Sequence, residues 1–235
     1  LYVHQSLPFV DYKFKFKKNK KLWMYQNVIG KKIINSIKKA DNVIVQTEWM
    51  KKACIDKSGV KSNKIKVESP QITAAVKKFF QPTDRNLKTF FYPAGGDYYK
   101  NHRIIVEACE KLVENGMADF QFIFTLNGEE NNHIKNLYNK IKEKNLPISF
   151  IGGITREEVF NYYSESVLIF PSYIETYGLP MLEAKLHKGI ILASDCLFSH
   201  EILDGYKNAY FFDPFKKEEL SKLIFKIYSG KIIYQ

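Results

Sequence analysis

The sequence predicts an α/β protein whose larger part, residues 84–235, is a doubly wound parallel sheet covered by helices. Three observations carry this. Apolar runs of strand length recur through that region and alternate with helix-like stretches. The runs are continuously apolar, as strands buried on both faces are, and do not alternate with polar residues. Glycines, acids and a lysine gather in the segments just after the runs, where ligands bind in such sheets.

Composition sets the frame. The chain has 235 residues, of which 45% are hydrophobic and 15% aromatic, enough for a buried core and unlike a disordered tail. No apolar run approaches the roughly 20 residues of a membrane-spanning helix, and no signal peptide is apparent. A soluble or peripheral cytoplasmic protein is expected. Three widely spaced cysteines, Cys54, Cys109 and Cys196, form no Cys-x-x-Cys pair, so they read as small buried apolar residues and not as a disulfide framework or zinc site.

The chain opens in LYV, a strand-like run already under way at Leu1. Because residue 1 is not Met, a fragment or processed chain is expected, with part of the active site in what precedes it. Residues 1–83 hold 18 Lys and 5 acidic residues, +13, whereas residues 84–235 hold 18 Lys or Arg and 20 acidic residues, −2. This shift, near the Pro-containing polar segment Gln81–Asn86, marks the expected domain boundary. Lysines are densest over residues 11–39. Aromatics alternate with them at Tyr12, Phe14 and Phe16, and Val28, Ile29, Ile33, Ile34 and Ile37 follow near helical spacing. Two readings stand side by side: a patch for an anionic membrane, with Phe16, Trp23 and Tyr25 at headgroup level, and an ordinary helix with a solvated basic face. A basic patch without a nucleic-acid-binding motif gives no reason to expect nucleic acid.

Past the boundary, strands are predicted at 88–92, 120–126, 148–151, 167–170, 190–194 and 209–212. Helices are predicted at about 102–115, 131–144, 155–163, 180–188 and 216–229. The loop after the first strand, PAGGDYYKNH, offers Gly95 and Gly96 for close backbone approach and Lys100 as a charge for phosphate. In GGITREE, Thr155 and Glu158 form a capping box. The most informative loop is PSYIETYGLPMLEAKLHKG. Pro180 suits a first helical turn, Met181, Leu182 and Leu186 can face inward, and Gly189 can stop the helix. Glu175 then lies in the loop and Glu183 in the helix, with free N–H groups at Gly178 and Leu179 between them as an anion site. Two carboxylates flanking a diphosphate site suit hydroxyls at either end: a ribose and a hexose.

Taken in order and spacing, YPAGGDYYKNHRIIVEACEKL, FQFIFTLNGEE and FIGGITREEVFNYYSESVLIFPSYIETYGLPMLEAKLHKGIILASD resemble the retaining glycosyltransferases of family 4. The resemblance covers nearly all of residues 84–235. It implies the GT-B fold, with residues 84–235 as the nucleotide-sugar donor domain and residues 1–83 as the later part of an incomplete Rossmann-like amino-terminal domain on the acceptor side. It implies that Glu175 contacts the transferred sugar, that the backbone of Tyr177, Gly178 and Leu179 lies near sugar and phosphate, that Glu183 holds the ribose, and that Lys100 neutralises the diphosphate. His4 matches the first-domain histidine near the donor sugar; a surface or capping histidine is the other reading. A family arginine about five residues before the lysine is replaced by Gly95, and Arg103 can substitute only if its helix turns toward the cleft.

The implied reaction moves a hexosyl unit, with retention and without a metal or other cofactor, to a glycan or lipid-linked acceptor in cell-surface polysaccharide synthesis, at the inner face of the membrane. A sugar-nucleotide epimerase, a glycan phosphorylase, or a non-catalytic nucleotide-sugar or membrane-binding module are the alternatives.

Overall fold

The computed structural model of the chain describes residues 1–17, 19–72, 76–232 and 234–235; Lys18 of the basic stretch lies outside them. The first unit starts with a helical run made of α1 (Lys20–Met24), a π-helical turn (Tyr25–Ile29) and α2 (Gly30–Lys39). Asn19 caps it by accepting from the Leu22 N–H. Then come β1 (Val43–Val45), α3 (Glu48–Ser58) and β2 (Ile65–Val67), with β1 and β2 paired in parallel. The LYV run adds only a parallel bridge, Tyr2 to Ile44. Ile37, Val43, Val45, Met50, Cys54 and Ile65 form this unit's core.

The second unit begins with the single turn α4 (Asp84–Leu87) and continues through β3 (Thr89–Tyr92), α5 (His102–Glu114), β4 (Gln121–Phe124), α6 (Asn132–Glu143), β5 (Ile148–Phe150) and α7 (Arg156–Glu165). It closes with β6 (Val167–Phe170), α8 (Leu179–Leu186), β7 (Ile191–Ser194), α9 (Leu197–Ile202), β8 (Ala209–Phe212) and α10 (Lys217–Tyr228). The six strands are parallel in the order β5-β4-β3-β6-β7-β8. Helix α5 packs with α6 and α10, and α8 with α7 and α9, so helices cover the sheet in two layers. All six predicted runs form strands, and β3, β6 and β7 are buried at every position, as their unbroken apolar character requires.

Three expectations are corrected. Helix α8 ends at Leu186, and the left-handed residue after it is Lys188 (φ 59°), not Gly189. Gly189 itself has no left-handed backbone, and a Cβ there would lie 3.4 Å from the Ala184 and Tyr163 carbonyl oxygens, an ordinary van der Waals contact. Leu186 faces solvent, while Met181 and Ala184 fill the inward positions. Cys54 and Cys109 are buried as expected, but Cys196 is only partly so. Phe80, just ahead of the charge boundary, is buried in the larger core, and its N–H donates to the His187 carbonyl at 2.7 Å.

The two sheets meet through their carboxyl edges. Thr47, following β1, donates its hydroxyl to the carbonyl of Thr176, which follows β6, at 3.0 Å. Leu7, Phe14 and Leu22 of the first unit pack on Tyr173 and Ile174 of the second. Within the basic stretch Ile37 is buried, Ile33 and Ile34 are partly covered, and Trp23 is half-buried, edge-on to Phe16 at 5.1 Å. Phe16, Met24, Tyr25 and Val28 stay exposed.

Candidate functional site

The strand order reverses between β3 and β6, the point in such sheets where ligands bind at the carboxyl edge. Several contacts fix the loop after β3. The buried Tyr92 donates its hydroxyl to the Lys100 carbonyl at 2.7 Å. Asn101 adopts a left-handed conformation (φ 61°), and its amide donates to the carbonyls of Pro171 (3.3 Å) and Pro214 (2.7 Å), tying together the loops after β3, β6 and β8. From the β6 side, the Tyr173 N–H donates to the Tyr99 carbonyl at 3.2 Å. The result is that Lys100 Nζ meets Glu175 Oε1 at 2.6 Å, with side chains only 21% and 15% exposed. Neither is a freely solvated surface charge.

Helix α8 starts on Gly178, whose φ of +91° is open to glycine; a Cβ there would come within 2.5 Å of Met181 Cε. Among the described residues no side chain caps this helix start. Pro180 lacks an N–H, so the amides of the first turn that lack a helical partner lie at its very beginning.

Glu183, one turn on, is buried, and both its oxygens are engaged. Arg156 Nη2 donates to Oε1 at 2.8 Å and the Tyr163 hydroxyl to Oε2 at 3.0 Å. Burial pushes the Glu183 carboxyl above its ordinary pKa, and the Tyr163 and Arg156 contacts oppose that shift without cancelling it. Arg156 is supplied by the first turn of α7, whose start is set by the Thr155–Glu158 capping box. Its guanidinium lies 5.2 Å from the Phe160 ring centroid.

The structure therefore joins Glu175 to Lys100, and puts Tyr177, Gly178, Leu179 and Glu183 on the same turn and helix. Gly96 is close to α6, where a Cβ would meet Ile134 Cγ1 at 2.8 Å, and its carbonyl accepts from Asn131. Gly95 faces open space. Arg103 is half-exposed and reaches Glu107 at 3.6 Å; it lines a recess of about 100 Å³ with Tyr98, His133 and Tyr173 and does not touch Lys100 or Glu175. His4 is exposed, with its ring 5.5 Å from Tyr2, on the carboxyl edge of the small sheet but in no contact with the acids.

Four residues of the site were missed in the sequence: Tyr92, Asn101, Arg156 and Tyr163. Asn101 beside Lys100 and Arg156 inside the capping box were at least signposted; nothing in the spacing connects Tyr163 with Glu183. Beside this site, a cleft of about 860 Å³ between the two units is lined by Tyr12, Trp49, Tyr173, Asp195, His200 and Phe215, among others.

Residues 75–234 match the family model described as glycosyl transferases group 1. No curated protein matches the sequence. Among solved structures, TarM is 20% identical with a TM-score of 0.74, over 97% of this chain and 43% of that one; a variant of S. aureus TarM has been solved with fondaparinux, α-GlcNAc-glycerol and UDP. Sucrose-phosphate synthase from Thermosynechococcus elongatus is 16% identical (TM-score 0.72), over 97% of this chain and 58% of that one. Anabaena HepE, in complex with UDP and glucose, is 17% identical (TM-score 0.66), over 86% and 57%. The shared architecture is that of the GT-B fold, and the chain spans 43–58% of the length of these structures.

Proposed function

Because the chain belongs to the glycosyl transferases group 1 family, we propose that residues 84–235 bind a nucleotide-diphosphate sugar and that the protein transfers its hexosyl unit, with retention, to a glycan or lipid-linked acceptor. The observation that carries this reading is the Lys100–Glu175 pair at the switch point, 2.6 Å apart and beside the uncapped start of α8. A cation, a carboxylate and free backbone amides at one edge suit a ligand that is anionic in its middle and hydroxylated at its ends.

In this reading the diphosphate takes Lys100 from Glu175, and Glu175 turns to a sugar hydroxyl. The ammonium then offsets the negative charge that grows on the leaving diphosphate, so the chain's own cation does the work of a metal. The amides of Tyr177, Gly178 and Leu179 face sugar and phosphate, and Glu183, held by Arg156 and Tyr163, accepts from the ribose. Residues 1–83 form the acceptor side, with His4 on the edge that faces the donor unit. UDP is bound in the HepE and TarM structures, which makes UDP-sugars the first donors to try.

The same proposal sets the protein against the cytoplasmic face of the membrane in cell-surface polysaccharide synthesis. Its support is the exposed apolar group Phe16, Met24, Tyr25 and Val28, set among lysines, with Lys20 Nζ 5.7 Å from the Phe16 ring centroid. Among the described residues no helix is long and apolar enough to cross a membrane.

Thermal shifts against a panel of UDP-, GDP- and ADP-sugars test the donor site. A ligand at 100 times its Kd stabilises by about 2.7 kcal/mol. Glu175→Ala and Lys100→Ala should each abolish transfer, without unfolding the chain, and transfer by the wild type should survive EDTA. Wild-type turnover in either variant refutes the assignment.

A further inference from the structure

Thr47 stands at the N-cap of α3, where a threonine normally accepts a hydrogen bond from an N–H of the following turn. Among the described residues it makes no such bond. Its side chain is fully buried, and the hydroxyl instead donates across to the second unit, to the carbonyl of Thr176 at 3.0 Å. The same carbonyl receives the Trp49 indole N–H at 3.2 Å. The first-turn amides that Thr47 leaves uncapped are taken over by Glu201 of α9, whose two oxygens accept from the N–H groups of Glu48 (2.7 Å) and Trp49 (2.9 Å). The Trp49 ring lies 6.5 Å from that of Phe198 on the same helix. A local capping rule is broken so that two side chains of one unit can converge on a single carbonyl of the other.

That carbonyl sits one residue past Glu175 and shares a peptide plane with the Tyr177 N–H. In a planar trans peptide the C=O and the N–H point in opposite directions, so holding the oxygen toward the first unit turns the Tyr177 N–H back toward the second. Among the described residues this N–H has no hydrogen-bond partner. We infer that Thr47 and Trp49 are positioning residues: by fixing the Thr176 carbonyl they orient the Tyr177 N–H and the turn carrying Glu175 for the donor. The inference rests on the donor reading of that turn. It also makes the donor site a joint product of both units, since the second sheet alone leaves the Thr176 peptide free to rotate.

The test is the dissociation constant of the chain for UDP-, GDP- and ADP-glucose in four forms: wild type, Thr47→Val, Thr47→Ser and Trp49→Phe. Valine keeps the shape of Thr47 and removes its hydroxyl; because that hydroxyl does not cap α3, the helix loses no cap. Phenylalanine keeps an aromatic ring and removes the N–H. Thr47→Val and Trp49→Phe should each bind the preferred nucleotide sugar about tenfold more weakly, equivalent to about 1.4 kcal/mol, while their melting temperatures without ligand match the wild type. Thr47→Ser, which retains the hydroxyl, should bind like the wild type. Wild-type affinity in Thr47→Val or Trp49→Phe overturns the inference and leaves the donor reading standing. A Thr47→Ser protein as weak as Thr47→Val also overturns it, because packing and not the hydrogen bond would then be at work. If Thr47→Val does not fold, the partly exposed Trp49→Phe decides alone. A wild type that binds none of the three sugars removes the donor reading and this inference together.

Discussion

His102, the first residue of α5 and two past Lys100, should make the protein acid-sensitive in a way that one substitution removes. Its ring is 1% exposed and lies between Tyr92 (centroids 4.8 Å apart) and Phe124 (5.0 Å). Among the described residues neither ring nitrogen has a hydrogen-bond partner. Burial, with smaller contributions from His133 and Lys100, pushes its pKa from 6.5 down to about 3. The folded chain therefore keeps this imidazole neutral, whereas the unfolded chain protonates it below pH 6.5. Stability is fully present above pH 6.5 and falls as pH drops from there toward 3. Unfolding takes up one proton across that window, a slope of about 1.4 kcal/mol per pH unit, or about 2 kcal/mol lost at pH 5 relative to neutral. Such a loss is a large fraction of a typical stability of about 5–15 kcal/mol. Urea denaturation between pH 7.5 and 4.5 measures it. His102→Phe keeps an aromatic ring among Tyr92 and Phe124 and should flatten the profile by that slope, leaving the share of every other group in place. Superimposable pH profiles for the two proteins would refute the reasoning.

Two further outcomes are expected. Tyr163→Phe removes the hydrogen bond to Glu183 Oε2, one of the contacts that oppose the upward shift of its pKa, so that pKa should rise further; nucleotide affinity should drop several-fold, and its acid limb should move to higher pH. An unchanged acid limb, read by isothermal titration across pH, would count against a role for Tyr163 in holding Glu183. On vesicles containing anionic lipid, replacing Phe16, Met24, Tyr25 and Val28 with Ser should sharply reduce co-flotation; wild-type binding that is equal on neutral and anionic vesicles would dispose of the membrane surface.

The sheet was legible because its strands are unbroken apolar runs, and every one of the six formed within a residue or two of its expected position. The first unit was harder to read. Its two strands are three residues each, VIV and IKV, too short for periodicity to register against the surrounding lysines. Segments that looked like one amphipathic helix turn out to be a helix interrupted by a π-helical turn. There Gly30 approaches Pro8 so closely that a Cβ would sit 2.9 Å from the proline Cβ, a contact the sequence does not announce. Helix ends were legible where side chains cap them, as at Thr155, and misread where a lysine took the left-handed position that glycine usually fills, as at Lys188.

The same division explains the candidate site. Glu175 and Glu183 stand out by spacing, but spacing treats them alike, and the structure separates them. Glu175 lies before the helix, where the β3 loop comes alongside only because β3 and β6 are neighbours in the sheet, and its partner is a single lysine, which in the proposed donor complex passes to the diphosphate. Glu183 lies on the helix itself, against α7, and its partners are a guanidinium and a buried phenol that hold it in one orientation. Of the two carboxylates, then, one is poised to exchange partners and the other to stay fixed. That difference comes from the order of the strands. It predicts that Glu183 variants should act chiefly on nucleotide affinity, whereas Glu175 variants should act on turnover.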